Sequence, residues 1–251
     1  MKNTERFSSR VDNYVKYRPH YPDALIPYLE KEAGLLKTTI VADIGAGTGI
    51  SALPFLHNGN PVMAVEPNAE MRERMISLLQ RYPQFTAITG TAERTTLPDH
   101  SVDLIVAGQA FHWFDAAAAK AEFRRIARPG AHVALIWNKR SMSTPFEKDY
   151  EKLLQRFGTD YKEVNHKNVG ASQLANFFAP HPYIHHTFQN AQLFDFTGLK
   201  GRLLSSSYAP DEHHPAYTPM IKALEDIFEQ HQENRMVKFH YDTQLYLGPV
   251  G

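Results

Sequence analysis

The sequence predicts an α/β fold on a parallel sheet, and three observations carry that prediction. Five short aliphatic runs, "TIVADIG", "PVMAVEP", "FTAITG", "VDLIVAGQ" and "HVALIWN", alternate with helical patterns from about residue 40 onward. The first run ends in glycines at 45, 47 and 49, as a strand does when it turns into a helix around a ligand. At 251 residues and 43% hydrophobic, the chain is long enough to bury a full core, and one domain over 1–251 is the expectation.

The elements follow in order. Behind the second run, Asn68 can cap a helix whose apolar positions Met71, Met75, Leu78 and Leu79 fall at helical spacing, ending before Pro83. The turn "PDHSVD" re-enters the sheet after the third run. Alanine-rich "DAAAAKAEFRRIARPG" reads as a helix stopped by a Pro-Gly turn before the fifth run. Residues 141–181 are polar, with helical stretches and no strand, and read as an inserted helical cap. Two extended segments, "HHTFQNAQLFDFT" and "MVKFHYDTQLYLG", close the chain around the helical "YTPMIKALEDIFEQH".

Composition narrows the function. Lysine plus arginine equal aspartate plus glutamate at 27 each, so no net field attracts nucleic acid or an anionic membrane. Cysteine is absent, which excludes disulfides, thiolate metal sites and thiol nucleophiles. The thirteen histidines, with the pairs His185-His186 and His213-His214, lack a zinc spacing and read as surface, so no metal is expected. The polar opening has no signal-peptide core, and no stretch approaches the roughly 18 apolar residues of a membrane span. A soluble cytoplasmic protein is the expectation.

The glycine pattern selects among nucleotides. A dinucleotide fingerprint needs its third glycine where Ile50 stands, and no Gly-Lys-Ser/Thr of a Walker A loop follows. What remains, D-x-G-x-G-x-G, suits a ligand with a nucleoside at one end and a small amino acid at the other, which describes S-adenosylmethionine; a bare chain reversal is the competing reading. Glu66 ends the second run 21 residues after Gly45, where a carboxylate can accept both ribose hydroxyls. Thr91, Ala92 and Glu93 follow the third run and would lie beside the adenine.

These residues carry a resemblance. "VADIGAGTG", "AVEP", "GTAERTTLPDHSVDLIVAGQAFHWFD" and "RIARPGAHVALIWNKR" together resemble a class I S-adenosylmethionine-dependent methyltransferase of the methyltransferase-11 type. The opening "FSSRVDNYVKYRPHYP" and the late "LLSSSYAP" and "FHYDTQLYLG" are similar to small-molecule members, including trans-aconitate methyltransferase-like ones. The resemblance implies a Rossmann-like, mostly parallel seven-stranded sheet of order 3-2-1-4-5-7-6 with helices on both faces. It implies that Asp43, Gly45, Ala46 and Gly47 line the methionine end of the cofactor, Glu66 and Pro67 the ribose, Ala92 and Glu93 the adenine, and Gln109 the sulfonium. It also implies that residues 1–36 form a helical lid bringing Tyr14 and Arg18 to the cofactor and Tyr17 to the acceptor. Pro54 departs from the pattern, but in a helix starting near Thr48 it still falls in the first turns, where a missing amide costs little.

On the acceptor side, "GQAFHWFD" follows the fourth run, and Phe111, His112 and Trp113 are candidates to face a small-molecule acceptor. His112 is the candidate catalytic residue, as base for a hydroxyl or amine. A hydrogen-bond donor to a carboxylate, or a packed ring, are its other readings. No "NPPY" or "DPPY" tetrad is present, which disfavours amide and exocyclic-amine acceptors. Arg140, beside Lys139 and with Arg202 later, can fork a carboxylate. The expected activity is O-methylation of a small molecule, a carboxylic acid by this reading. A non-catalytic cofactor-binding protein and a nicotinamide-dependent oxidoreductase are the alternatives.

Overall fold

The computed structural model describes residues 16–159, 161 and 169–250. Helix α1 (Leu25–Ala33) precedes β1 (Val41–Ile44). There follow α2 (Leu53–Asn58), β2 (Val62–Val65), α3 (Ala69–Leu79), β3 (Phe85–Ile88) and β4 (Val102–Gly108). A single 3-10 turn (Phe111–Trp113) leads into α4 (Ala116–Ile126) and β5 (Ala127–Arg140). The rest is α5 (Pro145–Phe157), α6 (Ala171–Phe178), β6 (Ile184–Phe194), α7 (Phe196–Leu204), α8 (Tyr217–His231) and β7 (Val237–Pro249).

The strands form one sheet of order β3-β2-β1-β4-β5-β7-β6. The first five pair in parallel, and β7 runs antiparallel to both β5 and β6. This is the order the resemblance implied. Alternation along the strands splits the core in two. Val41, Leu104, Val106 and Ile136 face α1, α2 and α3, while Ala42, Ile105, Leu135 and their neighbours face α4 and α6.

A third cluster gathers α5, α7 and α8 on Phe194, Val237, Phe239 and Tyr241. It exists because β7 starts beyond the end of β5: Arg140 pairs with Tyr241, and Val237 to Phe239 pair with β6 alone. The overhang carries the helices past the carboxyl edge of the parallel strands. The polar stretch 141–181 therefore divides, with α5 in this cluster and α6 against the sheet beside α4.

Local signals explain most boundaries. Asn68 caps α3, its side chain accepting from Met71 N, as expected. Thr144 and Glu147 form a reciprocal capping box on α5. Three expectations are corrected. Helix α2 begins at Leu53 rather than near Thr48, because Gly49 sits at φ +88°, outside the right-handed helical region, and Pro54 lies in its first turn. Pro129 and Gly130 sit inside β5, where the register with β4 shifts, rather than in a free turn. Phe196 and Thr197 belong to α7, since Asp195 caps that helix by accepting from Gly198 N. Among the described residues no helix is long and apolar enough to cross a membrane.

Candidate active site

The loop after β1 lies across the carboxyl ends of the parallel strands, where open α/β sheets bind ligands. Amides of Gly45 and Ala46 donate to the carbonyl of Val65 at 2.9 and 3.1 Å, pinning the loop to β2. Its three glycines have φ of +70°, +58° and +88°. Each nevertheless has a different reason to lack a side chain. A Cβ at Gly45 would stand 2.8 Å from Ala110 Cβ, and one at Gly49 would stand 2.5 Å from Leu79 Cδ1. Those two are set by the protein's own packing. At Gly47 the nearest atom to such a Cβ is Met71 Sδ at 3.8 Å, so that face of the loop is open.

Two buried carboxylates back the loop. Asp43 is wholly buried; its Oδ2 accepts from the Ser51 hydroxyl at 2.7 Å, while Oδ1 has no hydrogen-bond partner among the described residues. Burial, opposed by the Ser51 bond, pushes its carboxyl up to about 7. Glu66, 7% exposed, accepts from Gly47 N and Asn68 N, both at 2.8 Å, with one oxygen each. Burial raises its pKa as well, against those two amides.

From the loop a cavity of about 520 Å³ runs toward the third helical cluster. Gly45, Ala46, Gly47, Ser51 and Gln109 line one end, and Arg18, Arg140, Tyr161, Arg202 and Tyr208 line the other. Gln109 holds φ +58°, an unusual conformation for a residue with a side chain, and its Nε2 donates to the Asn138 carbonyl at 3.3 Å. Arg140 Nη2 donates to Glu151 at 2.9 Å and to the Tyr161 hydroxyl at 2.6 Å, with its guanidinium 5.6 Å from the Tyr150 ring. Arg18 Nη2 donates to the Ser205 carbonyl at 2.9 Å.

Other expected residues fall elsewhere. Phe111 is fully buried, its ring edge-on to Phe114, Trp137 and Phe177, and contact with an acceptor is corrected to a place in the core. His112 and Trp113 are half-buried with ring centroids 4.8 Å apart, and neither is among the cavity-lining residues. Ala92 is buried, Glu93 accepts from Asp115 N at 2.9 Å, and the carbonyl of half-buried Pro67 accepts from Arg72 at 3.3 Å. The Tyr17 ring packs on Gly201 of α7, where any Cβ would collide with it. Arg18 stands with Arg140 and Arg202 around the Tyr208 hydroxyl, at the far end from the glycine loop. Tyr14 lies outside the described residues.

Several lining residues went unnamed in the sequence. Tyr21 lies over Gly108 at the tip of β4, so close that Gly108 has no room for a Cβ. Its only signal was the "RPHYP" stretch. Glu151 and Tyr161 come from the stretch read as polar cap, and Tyr208 from "SSSYAP", where no spacing marked a role.

Residues 42–135 match a family model described as a methyltransferase domain, the methyltransferase-11 type. Over that stretch the chain is similar to methyltransferase domains. An uncharacterised methyltransferase of Mycobacterium tuberculosis is 36% identical over 157 residues, 62% of each chain. One of Schizosaccharomyces pombe is 32% identical over 152 residues, 60% of this chain and 59% of that relative. The match thus spans less than two thirds of these relatives' length. A solved structure from Anaeromyxobacter dehalogenans, described as a type II methyltransferase, superposes with a TM-score of 0.70 at 22% identity, covering 93% of this chain and 98% of that one. That likeness is one of fold.

S-adenosylmethionine is the cofactor that the methyltransferase likeness indicates, and the residues of the site fit it. Gly47 leaves an open face, Asp43 Oδ1 is an unsatisfied buried acceptor, and the Glu66 carboxylate stands one strand over. The methyltransferase domain match contains all of these, whereas Arg140, Glu151, Tyr161, Arg202 and Tyr208 lie beyond it. The glycine-loop end is the part of the site that lies within the match. The basic end belongs to the overhang.

Proposed function

We propose that this chain methylates a small carboxylic acid with S-adenosylmethionine as donor. One observation supports the reading above others: a single cavity joins the glycine loop to a wall of arginines. Bound there, the cofactor supplies a methyl group already activated by its sulfonium.

The chain's own residues then have three tasks. Asp43, Gly47 and Glu66 would hold the donor, and Gln109 at the tip of β4 would stand between donor and acceptor. Arg140, fixed by Glu151 and Tyr161, would hold the acceptor carboxylate. Orientation of this kind supplies about 7–11 kcal/mol of a barrier. Pro19 and Tyr21 would cover the cavity and keep water out. No residue needs to remove a proton, because a carboxyl group with a pKa of about 4 arrives ionised. The absence of His112 from the described lining agrees with an acceptor that needs no base.

The deciding experiment is transfer of a labelled methyl group to a panel of small acids, phenols and amines. Formation of base-labile methyl esters is the expected result. Label on phenols or amines alone would replace the carboxylate with a proton-bearing acceptor. No transfer at all, with intact cofactor binding, would leave a non-catalytic binding protein, and binding of NAD in its place would favour the oxidoreductase.

A further inference from the structure

The two edges of the sheet are built differently. β3 has four residues, short enough to offer little to another chain. β6, at the opposite edge, runs for eleven residues, and its register with β7 is unbroken from Ile184 to Phe194. None of the eleven is an aspartate, glutamate, lysine, arginine or proline. Edges of this length are guarded in monomeric proteins by charge, proline or a bulge, because their free main-chain groups pair with other strands. β6 carries none of these guards.

The free groups can be assigned. His240 of β7 turns its main chain toward β5: its amide donates to Glu147 at 3.0 Å, and its carbonyl accepts from Ser141 N at 3.0 Å. Successive residues of an antiparallel strand point their main chain to opposite sides, so Tyr241 and Phe239 face β6 and meet Asn190 and Gln192. The outward amides and carbonyls of β6 therefore belong to His185, Thr187, Gln189, Ala191 and Leu193. No main-chain group among the described residues bonds these five; Ala191 N is met by the Asn190 side-chain oxygen, at 2.8 Å. Their side chains share one face of the sheet and all are exposed, Leu193 at 63%. The roof segment lies on the other face, where Asn190 and Gln192 donate to the carbonyls of His20 and Arg18.

We infer that β6 is the interface of a two-fold homodimer, in which the strand pairs antiparallel with its own copy about Gln189 and the two sheets become one. A second copy fits because the strand is its own complement. Pairing about the midpoint uses all eleven residues and sets Gln189 against Gln189, Thr187 against Ala191, and His185 against the exposed Leu193. Each of these joins one outward-facing residue to another, as antiparallel pairing requires. Like charges stay apart. Asp242, the β7 residue opposite Gln189, accepts from that residue's Nε2 at 3.0 Å, and the two copies of its carboxylate lie three strand spacings apart. That is about 14 Å, beyond the screening length at physiological salt. The inference is independent of the methyl acceptor.

The chain has no cysteine, so a single introduced one reports the register. In Gln189→Cys the two Cα atoms would face each other across a hydrogen-bonded pair, at about 5.5 Å, within reach of a disulfide. Mild oxidation is expected to link the copies. Thr187→Cys should not link, because its own copies would lie four residues apart along the strand, about 14 Å. In analytical ultracentrifugation the parent should sediment as a two-chain particle at about 100 μM. Gln189→Lys, which opposes two ammonium groups, should weaken association at least tenfold and keep the parent's circular dichroism spectrum. Gln189→Glu should do the same, and an equal mixture of the two variants should associate again. A monomeric parent overturns the inference, as does a dimer that tolerates Gln189→Lys and gives no linkage in Gln189→Cys. Equal linkage of both cysteine variants overturns it too, since that marks random collision.

Discussion

The backbone amide of Gly47 donates to Oε2 of Glu66 across 2.8 Å, tying the open face of the glycine loop to the tip of β2. The same carboxylate accepts from Asn68 N and so also fixes the start of α3. Glu66→Ala should therefore weaken S-adenosylhomocysteine binding by about 1.5–3 kcal/mol, the range for hydrogen bonds to a charged group. Glu66→Gln, which keeps one acceptor oxygen, should fall between. Calorimetry measures both, and unchanged affinity in the alanine variant would limit Glu66 to holding the loop.

Gly47 and Gly49 should respond differently to the same substitution. Gly47→Val puts a branched side chain into open space, so it should abolish cofactor binding and lower stability only by the strain of φ +58°, about 1–3 kcal/mol. Gly49→Val adds contact with Leu79 and Met75, and overpacking costs a further 1–3 kcal/mol or so. Thermal melts beside calorimetry separate the two. A Gly47 variant that binds normally would reduce the loop to a turn.

Asp43 gives a pH dependence with a definite sign. Its carboxyl is raised to about 7 in the folded chain, so the native state holds a proton that the unfolded state loses near 4. Its contribution to stability is full below about pH 4 and is lost as pH rises through 7. Asp43→Asn should accordingly raise the melting temperature of the ligand-free protein at about pH 8 while weakening cofactor binding. A cationic ligand favours the carboxylate, so binding by the parent protein near pH 6 should release a proton, visible as a buffer-dependent calorimetric enthalpy.

Glu122 braces the turn at Thr91–Arg94 from beneath. One of its oxygens accepts from the amide and hydroxyl of Thr95 at 2.7 and 2.6 Å, and Arg125 pairs with it at 2.7 Å. The Arg125 bond, aided by Thr95 and opposed by burial, holds its pKa down to about 2. Its stabilisation is therefore present above the ordinary carboxylate value and lost as pH falls through 2. Glu122→Ala should cost about 1.5–3 kcal/mol at neutral pH. The gap from the parent should close on acidification, in melts followed between about pH 7 and 2.5.

Acceptor chemistry is read from the contrast of two variants. If a carboxylate is methylated, turnover should be nearly flat from about pH 6 to 8, apart from the effect of Asp43 on binding, and His112→Asn should keep most of the activity. Arg140→Lys should lose more, because an ammonium cannot bond Glu151, Tyr161 and an acceptor with one planar fork. A rate that climbs tenfold per pH unit to a plateau near 7 and collapses in His112→Asn would make His112 the base.

The half of the site inside the parallel strands was legible because it is local. Asp43, Gly47 and Glu66 sit at strand ends, and a strand end followed by glycine or by a helix cap is visible in any linear reading. Gly49 shows the limit even there: its reason is Leu79, thirty residues later on α3, and spacing alone cannot tell a ligand from a leucine. In the basic half Arg18, Arg140 and Arg202 could be named one by one, but their grouping with Glu151 and Tyr208 was not legible, because these residues meet only in three dimensions. Arg18, Arg140, Glu151, Arg202 and Tyr208 come from five separate stretches, joined by the overhang of β7 past β5. Helix α7 was missed for a related reason: Gly198 and Gly201 weaken its helical signal, and Gly201 is required by the ring of distant Tyr17.

The roof of the cavity is made of the first described residues, yet it is fastened to the last third of the chain. Arg18 bonds Ser205 across 187 positions, and the His20 carbonyl accepts from Asn190 across 170. Tyr17 rests on Gly201. During synthesis, then, Tyr17 and Arg18 leave the ribosome long before the residues of α7 and its flank on which they dock. The glycine loop and the parallel strands can form early from neighbouring stretches, but a growing chain has no closed cavity until β6 and α7 have emerged. A nascent chain halted before them would present the glycine loop as an open shelf without its roof.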